Sequence, residues 1–452
     1  MRKPGLQAAR SSEVTNPPAP LKHPCGTPLL HLRADMRFLH LADVHLDTSF
    51  RGRSPELRER LREAGRQVLM DAVEMALARG VDALLIAGDL FDGERLSFRS
   101  ERYLMEALQR LIEGGVTPIY ATGNHDPGGV SGTRSALQWP EELILFDAPE
   151  PRRAAVTRDG EVVGWVTGAG HDSPAVERDL SRDFPRPEGR LPEVALLHTQ
   201  VMTSRGSEAH DRYAPSHLDH LVLAGFDYWA LGHIHLPQEL SAHPAVRYSG
   251  NPQGRHPGES GPRGALLVEV LPGSAPRIDF VELARIRWET LRGGDLSEAP
   301  SWRALVDRLA AGWQQARAGD PGRPGCEWIV RVELEGPSPI YRQLLAAENR
   351  REIAEELRDL LGVLDVEVRT GGLVPRIDPA NHRDRIDVVG ESLRLLDGIL
   401  AGDHPDPAGL LGIDPGDLAA LGDRGPAEYL QELLEGHSSR LLELVLRDGE
   451  SS

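Results

Sequence analysis

The sequence predicts an α/β sheet with parallel neighbours, followed by a small α+β domain and then amphipathic helices. Three observations predict it. From residue 36, apolar runs of strand length alternate with helical patterns of crossover length. Beyond residue 283 a second strand–helix–strand–helix–strand series begins. Beyond residue 378 leucines recur at helical spacing.

"RFLHLAD", after Met36, reads as the first strand. "SPELRERLREAGRQVLMDAVEMALARG" reads as a helix with Ser54 at the N-cap, Pro55 in the first turn and Gly80 as the stop. "DALLIAGD" is a continuous apolar run, as expected of a strand covered on both faces. "SFRSERYLMEALQRLIEGG" is the second helix and "TPIYATGN" the third strand, which completes two β-α-β crossovers. "EVVGWVTG", "EVALLHTQ", "DYWALGHIH", "ALLVEVL" and "RIDFVEL" are further strands and close a first domain over 36–283.

Residues 284–378 give strand "IRWETLR", helix "SWRALVDRLAAGWQQARAG", strand "EWIVRVELEG", one helix over "IYRQLLAAENRREIAEELRDLLG" and strand "LDVEVRT". Residues 379–452 form a helical region around "ESLRLLDGIL" and "AEYLQELLEGHSSRLLELVL". Residues 1–35 read as a polar, proline-dotted tail without a signal-peptide layout. They are either a disordered extension or a mis-called start upstream of Met36.

At 452 residues the chain is long enough for two or three domains. A net charge of −18 excludes a generally basic surface for nucleic acid, so such binding needs a local patch, bound cations or a partner. No apolar stretch reaches membrane-span length. Cys25 and Cys326 lie far apart and make no disulfide framework, which fits a reducing cytoplasm.

The chemistry collects where the apolar strands stop. Asp43 and His45 follow the first strand, Asp89 and Asp92 the second, and Asn124, His125 and Asp126 the third. His198 ends "VALLH", and His233 and His235 follow "YWALG". Ligand sites in open α/β sheets lie at the carboxyl ends of strands, so these residues should converge. Members of the Asp43/His45 and His233/His235 pairs are two apart, which in an extended segment points both side chains the same way. Singly, each block has an ordinary reading: a turn aspartate, a core histidine, an asparagine tolerating left-handed backbone. As a set, carboxylates, imidazoles and one amide without thiolate suit Mn²⁺, Fe²⁺ or Zn²⁺. Seven candidates (Asp43, His45, Asp89, Asn124, His198, His233, His235) suit two ions sharing a carboxylate better than one.

This series resembles the calcineurin-like metallophosphoesterase superfamily over roughly residues 36–283. "FLHLADVHLDTSFRG" and "YSGNPQGRHPGESGPRGALLVEV" further resemble the YhaO-like branch of SbcD-type DNA repair exonucleases. The resemblance implies a β-sandwich flanked by helices, with residues 284–378 as a cap over the substrate cleft. It implies one metal on Asp43, His45, Asp89 and His235 and a second on Asp89, Asn124, His198 and His233, most often Mn²⁺. It implies a metal-activated water attacking a phosphodiester, with His125 assisting and Asp92 orienting His125. DNA as substrate, an SbcC-like coiled-coil ATPase docking on the C-terminal helices, and a homodimer are also implied. Some nucleases of this group carry histidine where Asp92 stands, and the "GDxxDRG" of serine/threonine phosphatases is missing here because Gly93-Glu94 follow.

Asp126 is read as a structural turn residue, and His40, on the opposite strand face from Asp43, as a structural histidine. The loop with Arg255, His256 and Arg263 is either a phosphate-backbone contact or a hairpin turn. Two other functions compete: a phosphoesterase for small molecules such as cyclic nucleotides, and a non-catalytic scaffold. The roughly 170 residues after the first domain disfavour the former, and the complete ligand set with His125 disfavours the latter.

Overall fold

A computed structural model describes residues 35–92, 96–128, 137–206, 213–272, 274–403, 409, 426–435 and 437–449. The expectations for residues 1–34 lie outside the described residues. The front of the chain runs β1 (Met36–Leu41), α1 (Pro55–Arg79), β2 (Ala83–Ala87), α2 (Phe98–Glu113), β3 (Thr117–Ala121) and β4 (Ile144–Phe146). It continues with β5 (Arg152–Arg158), β6 (Glu161–Ala169), β7 (Glu193–His198), α3 (Leu218–Leu223) and β8 (Tyr228–Gly232). β9 (Gln238–Ser241), β10 (Ala245–Tyr248), β11 (Gly264–Val270) and β12 (Arg277–Glu282) complete it.

These strands make two six-stranded sheets, in the orders β12-β11-β1-β2-β3-β4 and β5-β6-β7-β8-β10-β9. β1 to β4 run parallel, with β11 and β12 added antiparallel. The sheets pack face to face: Phe38, Leu85 and Ile119 share a buried cluster with Val166, Leu196 and Tyr228. The outer face of the first sheet packs on α1 and α2 through Leu39, Leu84 and Ile86 against Val68, Leu69 and Leu104. The outer face of the second packs Trp229 and Leu231 on Val176, Phe184 and Leu221. All five residues of β2 are buried, as its unbroken apolar run requires. The caps of α1 form as expected, with Ser54 Oγ accepting from Leu57 N at 3.2 Å and Gly80 left-handed at φ 57°.

A second unit follows: β13 (Ile286–Arg292), α4 (Trp302–Gly319), β14 (Glu327–Ser338), α5 (Tyr341–Leu345), α6 (Ala347–Leu361) and β15 (Asp365–Pro375). Its three strands are parallel, in the order β13-β14-β15. Two expectations need correction. The single helix over 340–362 is two, because Ala346 is extended at φ −68° and ψ 124°. The last strand runs on past Thr370 to Pro375, with the register shifting between Glu333 and Glu335 of its partner. The unit joins the sandwich through Phe50, Leu61 and Ala64 against Ile286, Trp288 and Ile329. Arg285 and Arg323 both pair with Asp71 on α1, at 2.6 and 2.8 Å.

Among the described residues, α-helices α7 (Val388–Leu400), α8 (Pro426–Leu434) and α9 (Ser438–Gly449) follow. Val389, Leu393 and Leu442 are buried together against Ile377, and Arg440 Nε donates to Leu373 O of β15 at 3.0 Å. Among the described residues no helix is long and apolar enough to cross a membrane.

Candidate metal centre

Beyond Leu41 the chain does not stay extended. Asp43, His45 and Asp47 are left-handed at φ 53°, 49° and 64°, as is Asp89 at φ 50°, while His233 stands at φ 103°. This corrects the expectation that strand alternation aims the paired residues. Each left-handed non-glycine residue costs about 1–2 kcal/mol, so the surroundings must hold it there. They do: Asp43 N, His45 N and Leu46 N donate to the carbonyls of Gly88, Asp89 and Leu90 at 3.0–3.1 Å, fastening the first loop to the second.

Asp126 fastens the second loop to the third. Its buried carboxylate accepts from Gly123 N (2.7 Å), Leu90 N (2.5 Å) and Asp89 N (3.3 Å). This is a wider structural role than a turn contact. Two glycines permit the approach of the sheets at this end. A Cβ on Gly232 would lie 1.7 Å from Ala87 O, and one on Gly88, itself at φ 81°, would lie 2.2 Å from His198 Nδ1.

The seven expected ligands come together. One donor atom from each of Asp43, His45 and His235 lies within 4.8 Å of the others, and the same holds for Asp43, Asp89 and His198. Asp89 Oδ2 is 3.7 Å from His45 Nε2 and 3.5 Å from His198 Nε2, so one carboxylate oxygen serves both groups. Asn124 Oδ1 lies 2.9 Å from His198 Nε2 and 3.2 Å from His233 Nδ1.

The donor chemistry fits a pair of cations. His45 Nδ1 is bonded to Asp92 Oδ1 at 2.8 Å and His235 Nδ1 to Glu259 Oε1 at 2.6 Å, so both rings carry their proton on Nδ1. Their Nε2 atoms, 3.2 Å apart, then face each other with lone pairs. His198 repeats the pattern, with Nδ1 donating to Ala87 O at 2.9 Å and Nε2 turned to the Asn124 oxygen. Facing lone pairs repel unless a cation lies between them. Burial holds the His45 and His198 rings well below the usual imidazole range, so they stay neutral. Burial, with repulsion from Asp89, pushes Asp43 well up, and burial with repulsion from Asp126 pushes Asp89 to about 7. A divalent ion relieves both the crowded lone pairs and the buried negative charge.

His125 stands at the rim with a ring 44% exposed. Its Nδ1 is 2.8 Å from Asp92 Oδ1, which leaves Nε2 outside that bond. Asp92 therefore holds two imidazoles on one oxygen, while its other oxygen accepts from Thr48 Oγ1 at 2.7 Å and Arg255 Nη1 at 3.3 Å. Burial works to raise this carboxyl, but the hydrogen bonds from His125 and His45 outweigh it and hold Asp92 far below its usual range. The hydrogen bond to Asp92 outweighs desolvation and raises His125.

Arg263 is corrected. It is buried and donates to His235 O, Asn251 Oδ1 and Ser260 O, so it supports the ligand loop from inside and offers nothing to DNA. Arg255 lines the centre beside Asp92, and exposed His256 lies 3.3 Å from Glu259. Glu259 and Thr48 were not anticipated. Glu259 lies 24 residues beyond His235, with no spacing to mark it as that ring's partner.

Residues 36–237 match the calcineurin-like phosphoesterase family, and residues 288–368 match the middle domain of metallophosphoesterase YhaO. The protein described as uncharacterized metallophosphoesterase YhaO of Bacillus subtilis is 33% identical over 359 residues, covering 76% of this chain and 85% of that one. The chain belongs to the calcineurin-like metallophosphoesterases, in their YhaO-like branch. Two further relatives of this metallophosphoesterase carry activities in their names. The SbcD component of the SbcCD nuclease of Rhodobacter capsulatus is 30% identical over 348 residues, covering 68% of this chain and 82% of its own. The DNA double-strand break repair protein Mre11 of Methanopyrus kandleri is 28% identical over 415 residues, covering 86% and 88%. The metallophosphoesterase is thus a metal-dependent phosphoester hydrolase of a family that uses two divalent ions, and its Asp/His cluster supplies candidate ligands for them.

Proposed function

We propose that this metallophosphoesterase is a DNA exonuclease/endonuclease acting in DNA repair in the cytoplasm, on two Mn²⁺ ions. The observation that carries it is the cluster of donor groups in which Asp89 Oδ2 lies near both His45 and His198, with His125 beside them on the rim. Asp43, His45, Asp89 and His235 would hold one ion, and Asp89, Asn124, His198 and His233 the other. When bound, the ions supply an activated water and neutralise the phosphoryl oxygens. The chain's own part is placement and proton transfer. His125, fixed through Nδ1 by Asp92, holds a proton on Nε2 for the leaving oxygen. The raised affinity of that ring for a proton suits an acid working near neutral pH.

We read residues 36–283 as the catalytic domain, 284–378 as a cap and the remainder as the docking region for an SbcC-like ATPase, in a homodimer. Support comes from the nuclease and repair names of the relatives and from exposed Val388, Leu395, Leu433 and Leu444 on the C-terminal helices. The test is Mn²⁺-dependent degradation of end-labelled linear duplex DNA by wild type and His125→Ala at matched metal occupancy. Cleavage is expected in the wild type and a loss of about 10²–10⁴-fold in the variant. A wild type that spares DNA, alone and with the ATPase, but hydrolyses a cyclic nucleotide would move the function to small molecules.

A further inference from the structure

Glu259 is a buried carboxylate with no place in the ligand set or the proton transfer, yet it touches the metal centre. Its Oε1 accepts a hydrogen bond from His235 Nδ1 at 2.6 Å. Its Oε2 is fixed from the other side by Asn251 Nδ2 at 2.7 Å and Arg255 N at 2.6 Å, and Arg255 N belongs to the loop whose side chain reaches Asp92. Exposed His256 approaches Oε1 at 3.3 Å. Asn251 is itself buried, and its oxygen accepts from Arg263 Nη1 at 2.9 Å. Both oxygens of Glu259 are therefore committed, and each faces donors.

We infer that Glu259 is a positioning residue that acts through His235 to set the affinity of one of the two metal sites. The inference rests on the two-metal reading. Accepting the Nδ1–H hydrogen bond forces the Nε2 lone pair of His235 toward His45, Asp43 and the shared cation position, and a carboxylate acceptor makes that nitrogen a better ligand. His45 has the same support from Asp92, whereas His198 Nδ1 donates to the Ala87 carbonyl. The site built on His45 and His235 is thus backed by two carboxylates, Asp92 and Glu259.

Glutamine at 259 cannot serve both sides, since it offers one acceptor oxygen and one NH₂. If the NH₂ faces His235, the ring must move its proton to Nε2 and lose the lone pair. If it faces Asn251 and Arg255, it meets two donors.

The experiment is Mn²⁺ titration by calorimetry of the full chain, with thermal melting of each variant as the check on folding. Wild type is expected to bind two ions. Glu259→Gln should weaken one binding class by about 10–100-fold and leave the other unchanged. Hydrolysis of a generic phosphodiester by this variant should recover near wild-type kcat at high Mn²⁺, a shift in metal requirement that a misfolded protein would not show. Asn251→Ser keeps the charge of Glu259 but removes one of its supports, and should weaken the same class by a smaller factor. Unchanged affinity in Glu259→Gln overturns the inference, as does unchanged affinity in Asn251→Ser should the first variant fail to fold. A wild type that binds a single ion overturns the two-metal reading itself.

Discussion

His40 lies three residues before the first aspartate of the centre, yet it belongs to the core. It is fully buried, with Nδ1 3.0 Å from Tyr228 Oη and Nε2 3.2 Å from Leu231 O. Burial, only partly offset by the Leu231 carbonyl, lowers it to about 3. The unfolded chain, with histidine near 6.5, therefore binds the proton first as pH falls. Stability from this residue is complete above about 6.5 and is lost between there and about 3, at up to ~1.4 kcal/mol per pH unit. Urea unfolding at pH 7 and pH 5 should show a larger acid loss in wild type than in His40→Asn. Equal losses would show that His40 does not carry the effect. At this scale the sequence was legible where chemistry and local position coincide: the polar residues at strand ends cluster as the candidate centre. Glu259 was illegible because its bond to His235 is tertiary, and Arg263 misled because a cation in a glycine-rich turn looks solvated until its burial is known.

The strands that deliver the candidate ligands were readable because each is a long apolar run, and α1 because Ser54, Pro55 and Gly80 punctuate it. β4, β5, β9, β10 and α3 were not anticipated, being short or, like "RRAAVTR", too polar to stand out. The break at Ala346 has no glycine or proline to announce it. What no single element discloses is how closely two must approach. The carbonyl that ends β2 occupies the space a Cβ would need on the last residue of β8. Gly232→Ala would push these strands apart at the end that bears Asp89, His198, His233 and His235. We expect a melting temperature several degrees lower, since overpacking costs typically ~1–3 kcal/mol, together with loss of the two-ion Mn²⁺ stoichiometry. Calorimetric titration and melting of the purified variant check both, and wild-type values for each would show that the sheets can give way there.

The sandwich as a whole was legible only through resemblance, because hydrophobic periodicity shows that a face is covered and not by which sheet. Net charge, by contrast, is a whole-molecule property open to direct reading, and at −18 it opposes a polyanion. Arginine side chains that would compensate are largely spent at home. Arg53 pairs with Asp365 and Glu367, Arg285 and Arg323 with Asp71, and Arg287 with Asp320. The isolated chain should therefore bind DNA weakly and with a shallow salt dependence, since few phosphates are neutralised by the protein itself. Mn²⁺ at the centre should strengthen binding by supplying the missing positive charge at the cleavage site. Fluorescence anisotropy of a labelled duplex between 50 and 200 mM salt, with and without Mn²⁺, would measure this, with the His125→Ala chain used to slow the proposed cleavage. Tight metal-free binding that resists salt would contradict the charge argument and remove the reason for a DNA-holding partner. Weak binding that tightens on adding a coiled-coil ATPase would place the grip on DNA in the assembly and leave this chain the cut.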